Sequence, residues 1–257
     1  MLKEKLILEA DKRNADCAFV IKDLKGGQVW NHREDEVIKS ASLIKVFIMA
    51  EAMTRVKNGA MALDTEIRVT EGDVVDFSVL LFMKPRYYTL EELLNLMIVY
   101  SDNTATNVLI DYLGMEDINI RIRELGFEKS ILQRKMMDFA SARAGKENYT
   151  TPGEMAEFLQ RLYDCNLLGE GFDDIMLKIM KGQADETMMR DHMPDEIPIA
   201  RKSGELDCLD HDIAIVFGEK TDYIYCYFGW NAESNNEARQ LLGVTSKIVY
   251  DFLEDKE

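Results

Sequence analysis

Ser40-Ala41-Ser42-Leu43-Ile44-Lys45-Val46-Phe47-Ile48-Met49-Ala50 is the stretch on which the reading of this chain turns. It suits a helix, expected from about Ser40 to Lys57, yet every residue from Leu43 to Ala50 except Lys45 is apolar. A helix that is apolar all round is a buried helix. Lys45 is then a buried ammonium, costly unless it is paired or neutral. Ser42 stands three residues before it, a spacing that puts both side chains on one helix face. A serine beside a desolvated lysine is a nucleophile beside a general base. Ser42 would also sit in the first helical turn, where free N–H groups and the helix dipole favour developing negative charge. The plainer alternative is that Ser40 caps the helix, Ser42 is incidental and Lys45 reaches out to solvent. S-x-x-K recurs by chance, so the decision rests on motifs elsewhere in the chain.

Bulk properties narrow the classes. The 257 residues are 47% hydrophobic and 30% charged, enough for one large domain or two interleaved ones. With 31 basic and 47 acidic residues the net charge is −16, which argues against nucleic acid or an anionic membrane surface as partner. Cys17, Cys165, Cys208 and Cys226 form no C-x-x-C pair and no Cys/His cluster, so nothing points to zinc. Four scattered thiols fit a reducing compartment better than a disulfide framework. The start, Met1-Leu2-Lys3-Glu4-Lys5-Leu6, is charged and amphipathic, and no stretch of about 18 apolar residues occurs. A cytoplasmic location is expected; the alternative is an extracytoplasmic protein whose signal peptide has been removed.

Along the chain, residues 2–13 read as an amphipathic helix, and β-rich runs around Lys25-Gly26-Gly27 as a hairpin. Ile67-Arg68-Val69 suggests a brief strand and Pro85-Arg86-Tyr87-Tyr88 a loop. Thr89 and Glu92 form a capping box opening a helix that runs to Tyr100. Ser101-Asp102-Asn103 interrupts the apolar pattern before a second helix to Leu113, with Ser101 or Asp102 able to act as its N-cap. A helix is expected over 115–125, irregular chain over 134–149, then a helix capped by Thr150 or Thr151 with Pro152 at its start. Helical periodicity returns at 172–181. Three antiparallel strands follow at 197–204, 211–217 and 223–228, and an amphipathic helix over 235–253 closes the chain. The β-rich ends should pair, with the helical middle inserted between them.

Three motifs now stand together: Ser42-x-x-Lys45, Ser101-Asp102-Asn103 and Lys202-Ser203-Gly204. Each is weak alone, but in this order they match the S-x-x-K, S-D-N and K-T-G set. Tyr100-Ser101-Asp102-Asn103-Thr104-Ala105-Thr106-Asn107, Thr150-Thr151-Pro152 and Lys202-Ser203-Gly204-Glu205-Leu206 extend the agreement. The chain thus resembles, over nearly its whole length, the class A β-lactamase and penicillin-recognising serine hydrolase family. The resemblance implies an α/β (α+β) architecture of the β-lactamase/transpeptidase type. Residues 1–38 and 195–257 would form an antiparallel sheet flanked by terminal helices, residues 39–194 an inserted all-helical domain, with the site between them.

The resemblance also implies roles. Ser42 would attack an amide or ester carbonyl and Lys45, neutral by burial, would take its proton. Ser101 would pass a proton to the leaving group, and Asn103 would bond both Lys45 and a substrate amide. Lys202 and Ser203 would receive a substrate carboxylate, with Gly204 and Glu205 following them in the same strand. The N–H groups of Ser42 and Glu205 would form an oxyanion hole, each donor worth about 3–4 kcal/mol. His211 stands where many relatives carry an arginine that contacts the substrate carboxylate; the alternative is a histidine that merely starts a strand. Phe77, Tyr87 and Tyr88 would line the cleft mouth or serve as packing. The implied partner is a small molecule or peptide bearing a carboxylate, and nothing suggests a metal or organic cofactor.

One departure matters. Class A β-lactamases free the acyl-enzyme with a loop glutamate, helped by an asparagine four residues on. Aligned on Arg134, those positions fall here on Met136 and Ala140. A thioether cannot activate water. Asp138 is the nearest carboxylate, expected either to substitute or to serve as a loop ion pair or cap; Glu147 lies farther along. The sequence therefore supports acylation better than deacylation, and a binding protein that is acylated without turnover is the rival to a hydrolase.

Overall fold

A computed structural model describes residues 1–255. The chain opens with α1 (Leu2–Asp11) and the hairpin β1 (Asp16–Asp23) and β2 (Val29–His32). The short β3 (Ile38–Lys39) leads into a 3₁₀ turn, Ala41–Ile44, and then α2 (Lys45–Lys57). The helix expected from Ser40 is thus split. Ala41 takes a left-handed φ of 46° and Ser40 makes no side-chain cap bond, so the regular helix begins only at Lys45. Its first ten residues, Lys45–Thr54, are all buried, as its apolar circumference requires.

The middle of the chain wraps this helix. β4 (Glu66–Val69) pairs with β5 (Arg86–Thr89), Arg68 facing Tyr87. The loop expected at 85–88 is therefore a strand beyond Pro85: tyrosine and threonine favour the extended chain, and the 66–69 segment supplies a partner. α3 (Leu90–Val99) starts with the expected capping box, Glu92 N–H donating to Thr89 Oγ1 at 3.1 Å and Thr89 N–H to Glu92 Oε2 at 2.8 Å. α4 (Asn103–Leu113), α5 (Met115–Glu124) and α6 (Phe139–Arg143) follow; α6 is a short helix inside the stretch read as irregular. β6 (Tyr149–Thr150) pairs with β3, and α7 (Pro152–Tyr163) is capped by Thr151. α8 (Phe172–Lys181) packs with α3, α4's neighbour α5 and α4 itself around α2, which each of α3, α4, α5 and α8 contacts.

β7 (Ile199–Leu206), β8 (Leu209–Phe217) and β9 (Asp222–Trp230) precede the closing helix α9 (Asn235–Leu253). They join the N-terminal hairpin in one antiparallel sheet of order β2-β1-β9-β8-β7. One face carries Phe19, Tyr225 and Tyr227 and is covered by α1 and α9 through Leu2, Leu6, Leu242 and Tyr250. The other face carries Val20, Ile213 and Cys226 and belongs to the same apolar core as α2 and α7. A sheet apolar on both faces needs a layer on each side, so β7, at its edge, is pressed directly against the Ala41–Ile44 turn.

Candidate active site

A cleft of about 860 Å³ opens along this seam, lined by Ser42, Ser101, Asn103, Ser203 and Glu205 among others. Its size is that of a small-molecule site. Gly204 explains how the walls come so close: a Cβ there would lie 3.1 Å from Ala41 Cβ and 3.2 Å from Ser42 N. Ala41, Phe77, Ser101, Met137 and Met188 all line the cleft and all have left-handed φ. Such strain gathers where the surroundings over-determine the backbone. Ser42 follows the strained Ala41 and lines the cleft.

Lys45 lies on the turn after Ser42, fully buried. Its Nζ donates to Ser101 O at 2.7 Å, Ser101 Oγ at 3.1 Å and Asn103 Oδ1 at 3.0 Å. From the opposite wall the buried Lys202 donates to the same Ser101 Oγ at 3.1 Å and to Ser203 O at 2.8 Å. One hydroxyl therefore lies between two buried amines. Burial, and then the charge of Lys202, hold Lys45 well below the ordinary lysine range, against the pull of Asp102. Burial and Arg201 push Lys202 down to about 7, opposed by Asp185 and Asp212. Burial thus favours the uncharged, basic form of Lys45, and Lys202 is balanced between its two forms near neutral pH.

Asp102, noted above only as a possible cap, is the structural centre of the second motif. It is fully buried and caps α4 through Ala105 N–H at 2.8 Å. It also accepts from Ser78 Oγ at 2.9 Å, Val79 N–H at 2.6 Å and Leu80 N–H at 3.2 Å. One carboxylate thus fixes Ser101 and Asn103 on either side of it and ties them to the 78–80 segment. The capping signal was present in the sequence; the ties to residues 78–80 were not.

A model of the beta-lactamase enzyme family matches residues 2–253. The chain belongs to that family. Among similar proteins, a beta-lactamase of Aeromonas hydrophila, AER-1, is 25% identical over 205 residues, covering 76% of this chain and 66% of that protein. A beta-lactamase of Rhodobacter capsulatus is 34% identical over 149 residues, covering 56% of this chain and 49% of its own length. The chain thus spans about two thirds and about half the length of these two relatives. Among solved structures, a mutant of PBP-A in an acyl-enzyme complex with penicillin-G superposes with a TM-score of 0.89 at 24% identity, covering 99% of this chain and 96% of that one. The expected fold is thereby established by the structural likeness, and membership of a class A β-lactamase-like family by the family match.

Within this family frame, two side chains, His211 and Asp138, stand apart from the cleft. His211 does not face the cleft. It is fully buried, stacked on Phe228 at 4.4 Å, with Nδ1 2.8 Å from Asp210 O and Nε2 3.0 Å from Lys39 O. Burial lowers it to about 4, so it is a neutral tie between β8 and the chain leading to Ser42, not a substrate cation. The expected carboxylate contact at His211 is corrected accordingly. Asp138 is also absent from the cleft lining. It caps α6, accepting from Ser141 N–H at 3.0 Å, and bonds from Ser141 hold it below the usual carboxylate range, which makes it a weak base. Of the readings open for Asp138, its hydrogen bonds match the cap and not a substitute for the glutamate.

Met136 does line the cleft, its backbone clamped at both ends by Asn107: N–H to Oδ1 at 2.8 Å and O from Nδ2 at 3.0 Å. Glu147 lines it too, but is engaged with Arg134 at 2.7 Å. The Glu205 carboxylate is paired with Arg239 at 2.7 Å. Phe77 stands at the mouth, exposed, whereas Tyr88 is buried under Arg86 and Tyr87 lies outside the cleft. All four cysteines are free thiols, and no helix among the described residues is long and apolar enough to cross a membrane.

Proposed function

We propose that this chain is a serine hydrolase that is acylated at Ser42 by a β-lactam or a related amide or ester, and that it deacylates slowly. The observation that carries this is the pair of buried amines, Lys45 and Lys202, converging on Ser101 Oγ at 3.1 Å each. Ser42 Oγ bonds to the substrate carbonyl carbon while its proton passes to Lys45 Nζ. With both lone pairs of Ser101 Oγ engaged, its own proton is free for the leaving nitrogen or oxygen as the carbonyl bond to that atom breaks. Lys45, now protonated, restores the proton to Ser101. The N–H groups of Ser42 and Glu205 receive the oxyanion, the close approach at Gly204 bringing β7 against the Ala41–Ile44 turn. Lys202 and Ser203 take a substrate carboxylate, with Lys202 effective only in its charged form.

Release is the weak step. Hydrolysis of the ester needs a base for water, and Met136 offers a thioether where relatives place a carboxylate. Asp138 and Glu147 are committed to a helix cap and to Arg134. PBP-A, of the same fold, has a mutant whose acyl-enzyme complex with penicillin-G has been solved, and the same adduct is expected here. The rival reading, a binding protein acylated without turnover, is favoured by the same Met136. Four free thiols are in keeping with a cytoplasmic location.

The test mixes the protein with penicillin-G and with a chromogenic cephalosporin, following intact mass and absorbance, with Ser42→Ala as control. A stable mass increase, absent from the variant and accompanied by little colour, is expected. Rapid colour without accumulated adduct overturns slow deacylation. Absence of both adduct and colour, with simple esters equally inert, overturns the serine-hydrolase reading.

A further inference from the structure

Beside the cleft lies a second cavity of about 390 Å³, floored by Leu80, Met83, Tyr88 and Leu96. Val79 lines both cavities, so the short 3₁₀ turn Val79–Phe82 is their common wall. The outer surface of that wall is apolar and open: Phe77 is 78% exposed, Phe82 89%, Met83 49% and Leu81 46%. Contiguous exposed apolar side chains of this size mark a binding surface. The wall is also rigidly placed, because Ser78, Val79 and Leu80 are all bonded to Asp102 and Phe77 O accepts from Asn103 N–H at 3.3 Å. The charged groups of the second cavity are exposed: Arg86 lies over the Tyr88 ring at 3.7 Å and is paired with Glu92 at 2.9 Å, and Glu91 is open to solvent, so the apolar floor is what remains for an occupant.

We propose that the second cavity is a subsite for a long apolar chain of the substrate, running from Ser42 over Phe77 and Phe82 to Met83 and Leu96. The substrate class is then an ester or amide carrying a flexible alkyl or arylalkyl tail, not a compact polar acyl group. The tail is the occupant that fits, because the apolar surface is continuous with the cleft through Val79 and a neutral chain needs no partner for charge. This inference rests on acylation of Ser42 for its kinetic test but not for its binding test.

The kinetic test is a series of p-nitrophenyl esters from acetate to octanoate, read as the second-order rate of Ser42 acylation. Each methylene buried is expected to raise that rate by roughly two- to threefold, somewhat less than full transfer from water would give. Met83→Glu places a charge in the path of the tail; it is expected to flatten the series while leaving acetate unchanged. Asn95→Leu, which extends the apolar lining, is expected to steepen it. A flat series in the wild type overturns the proposal. The binding test uses octanamide, which need not react, titrated calorimetrically into wild type and Met83→Glu. Saturable binding weakened at least tenfold by the variant supports the subsite, and no binding to the wild type overturns it even if no ester acylates Ser42. A concentration-dependent dimer dissolved by Phe82→Ser, with a flat ester series, assigns the surface to a second copy of the chain and likewise overturns it.

Discussion

The two sides of the cleft floor differ in what their charges are free to do. On the side of the serine, both lysines of the motifs are buried and aimed at one hydroxyl, Ser101 Oγ, while Asn103 Oδ1 holds Lys45. On the loop side, residues 134–148 hold as many carboxylates as a water-activating site needs, yet each is occupied. Asp138 caps α6 and Glu147 holds Arg134. A carboxylate is a base for water only if its lone pairs and its pKa are left for the task. The comparison teaches that catalytic competence here is a matter of commitment of side chains, not of their number. On the proposed function, one side of the cleft forms the ester and the other only shapes the space in which the ester waits.

The comparison breaks most visibly at Met136. Its backbone is already clamped in the cleft by Asn107, so Met136→Glu adds a carboxylate without rebuilding the loop. Deacylation of the penicillin adduct, followed by mass, is expected to speed up about 100-fold. If adduct lifetime is unchanged, the stalled step lies elsewhere. The serine side is tested by Asp102→Ala. It strips four partners of their acceptor and removes the buried anion that favours charged Lys45, a loss of about 3 kcal/mol or more. The melting temperature should fall by roughly 10 °C, with acylation slowed because Ser101 loses its mooring.

A pH profile sharpens the contrast further. Lys202 is charged below about 7 and neutral above it, because burial and Arg201 lower its pKa. Acylation by a carboxylate-bearing substrate is therefore expected to decline above pH 7, about tenfold per unit at the limit. An ester without a carboxylate should show no such alkaline limb. An identical limb for both would show that Lys202 acts on the chemistry and not on the carboxylate. The smallest effect is expected from Asp138→Ala. The adduct lifetime should be unchanged and only a slight loss of melting temperature seen; a longer-lived adduct would mean that Asp138 contributes to water activation after all.

Much of this molecule was legible before any coordinate. The capping box at Thr89 and Glu92, the cap at Thr151 and the closing helix at 235–253 are short-range patterns, and each forms where its residues stand. The burial of Lys45 followed from the apolar residues around it, and the three motifs in order pointed to the family. The strand β5 was missed because its partner lies about 20 residues upstream and the local text offered only a proline and two tyrosines. The turn before α2 was missed because the left-handed Ala41 is held by Gly204, a neighbour only in space.

The sequence by itself determined which chemical groups exist and which short segments fold around them: a serine one turn before a lysine that cannot reach water, and a loop with a thioether where a base is needed. Only the tertiary structure decided what each group does. His211 could have met a substrate or a backbone; Lys39 O, 172 residues away in the chain, claimed it. Asp138 could have activated water, but the helix it caps took its carboxylate. The physical reason is that a polar side chain removed from bulk water must find a partner. The sequence names the candidates, while the fold sets which partner is within hydrogen-bond reach.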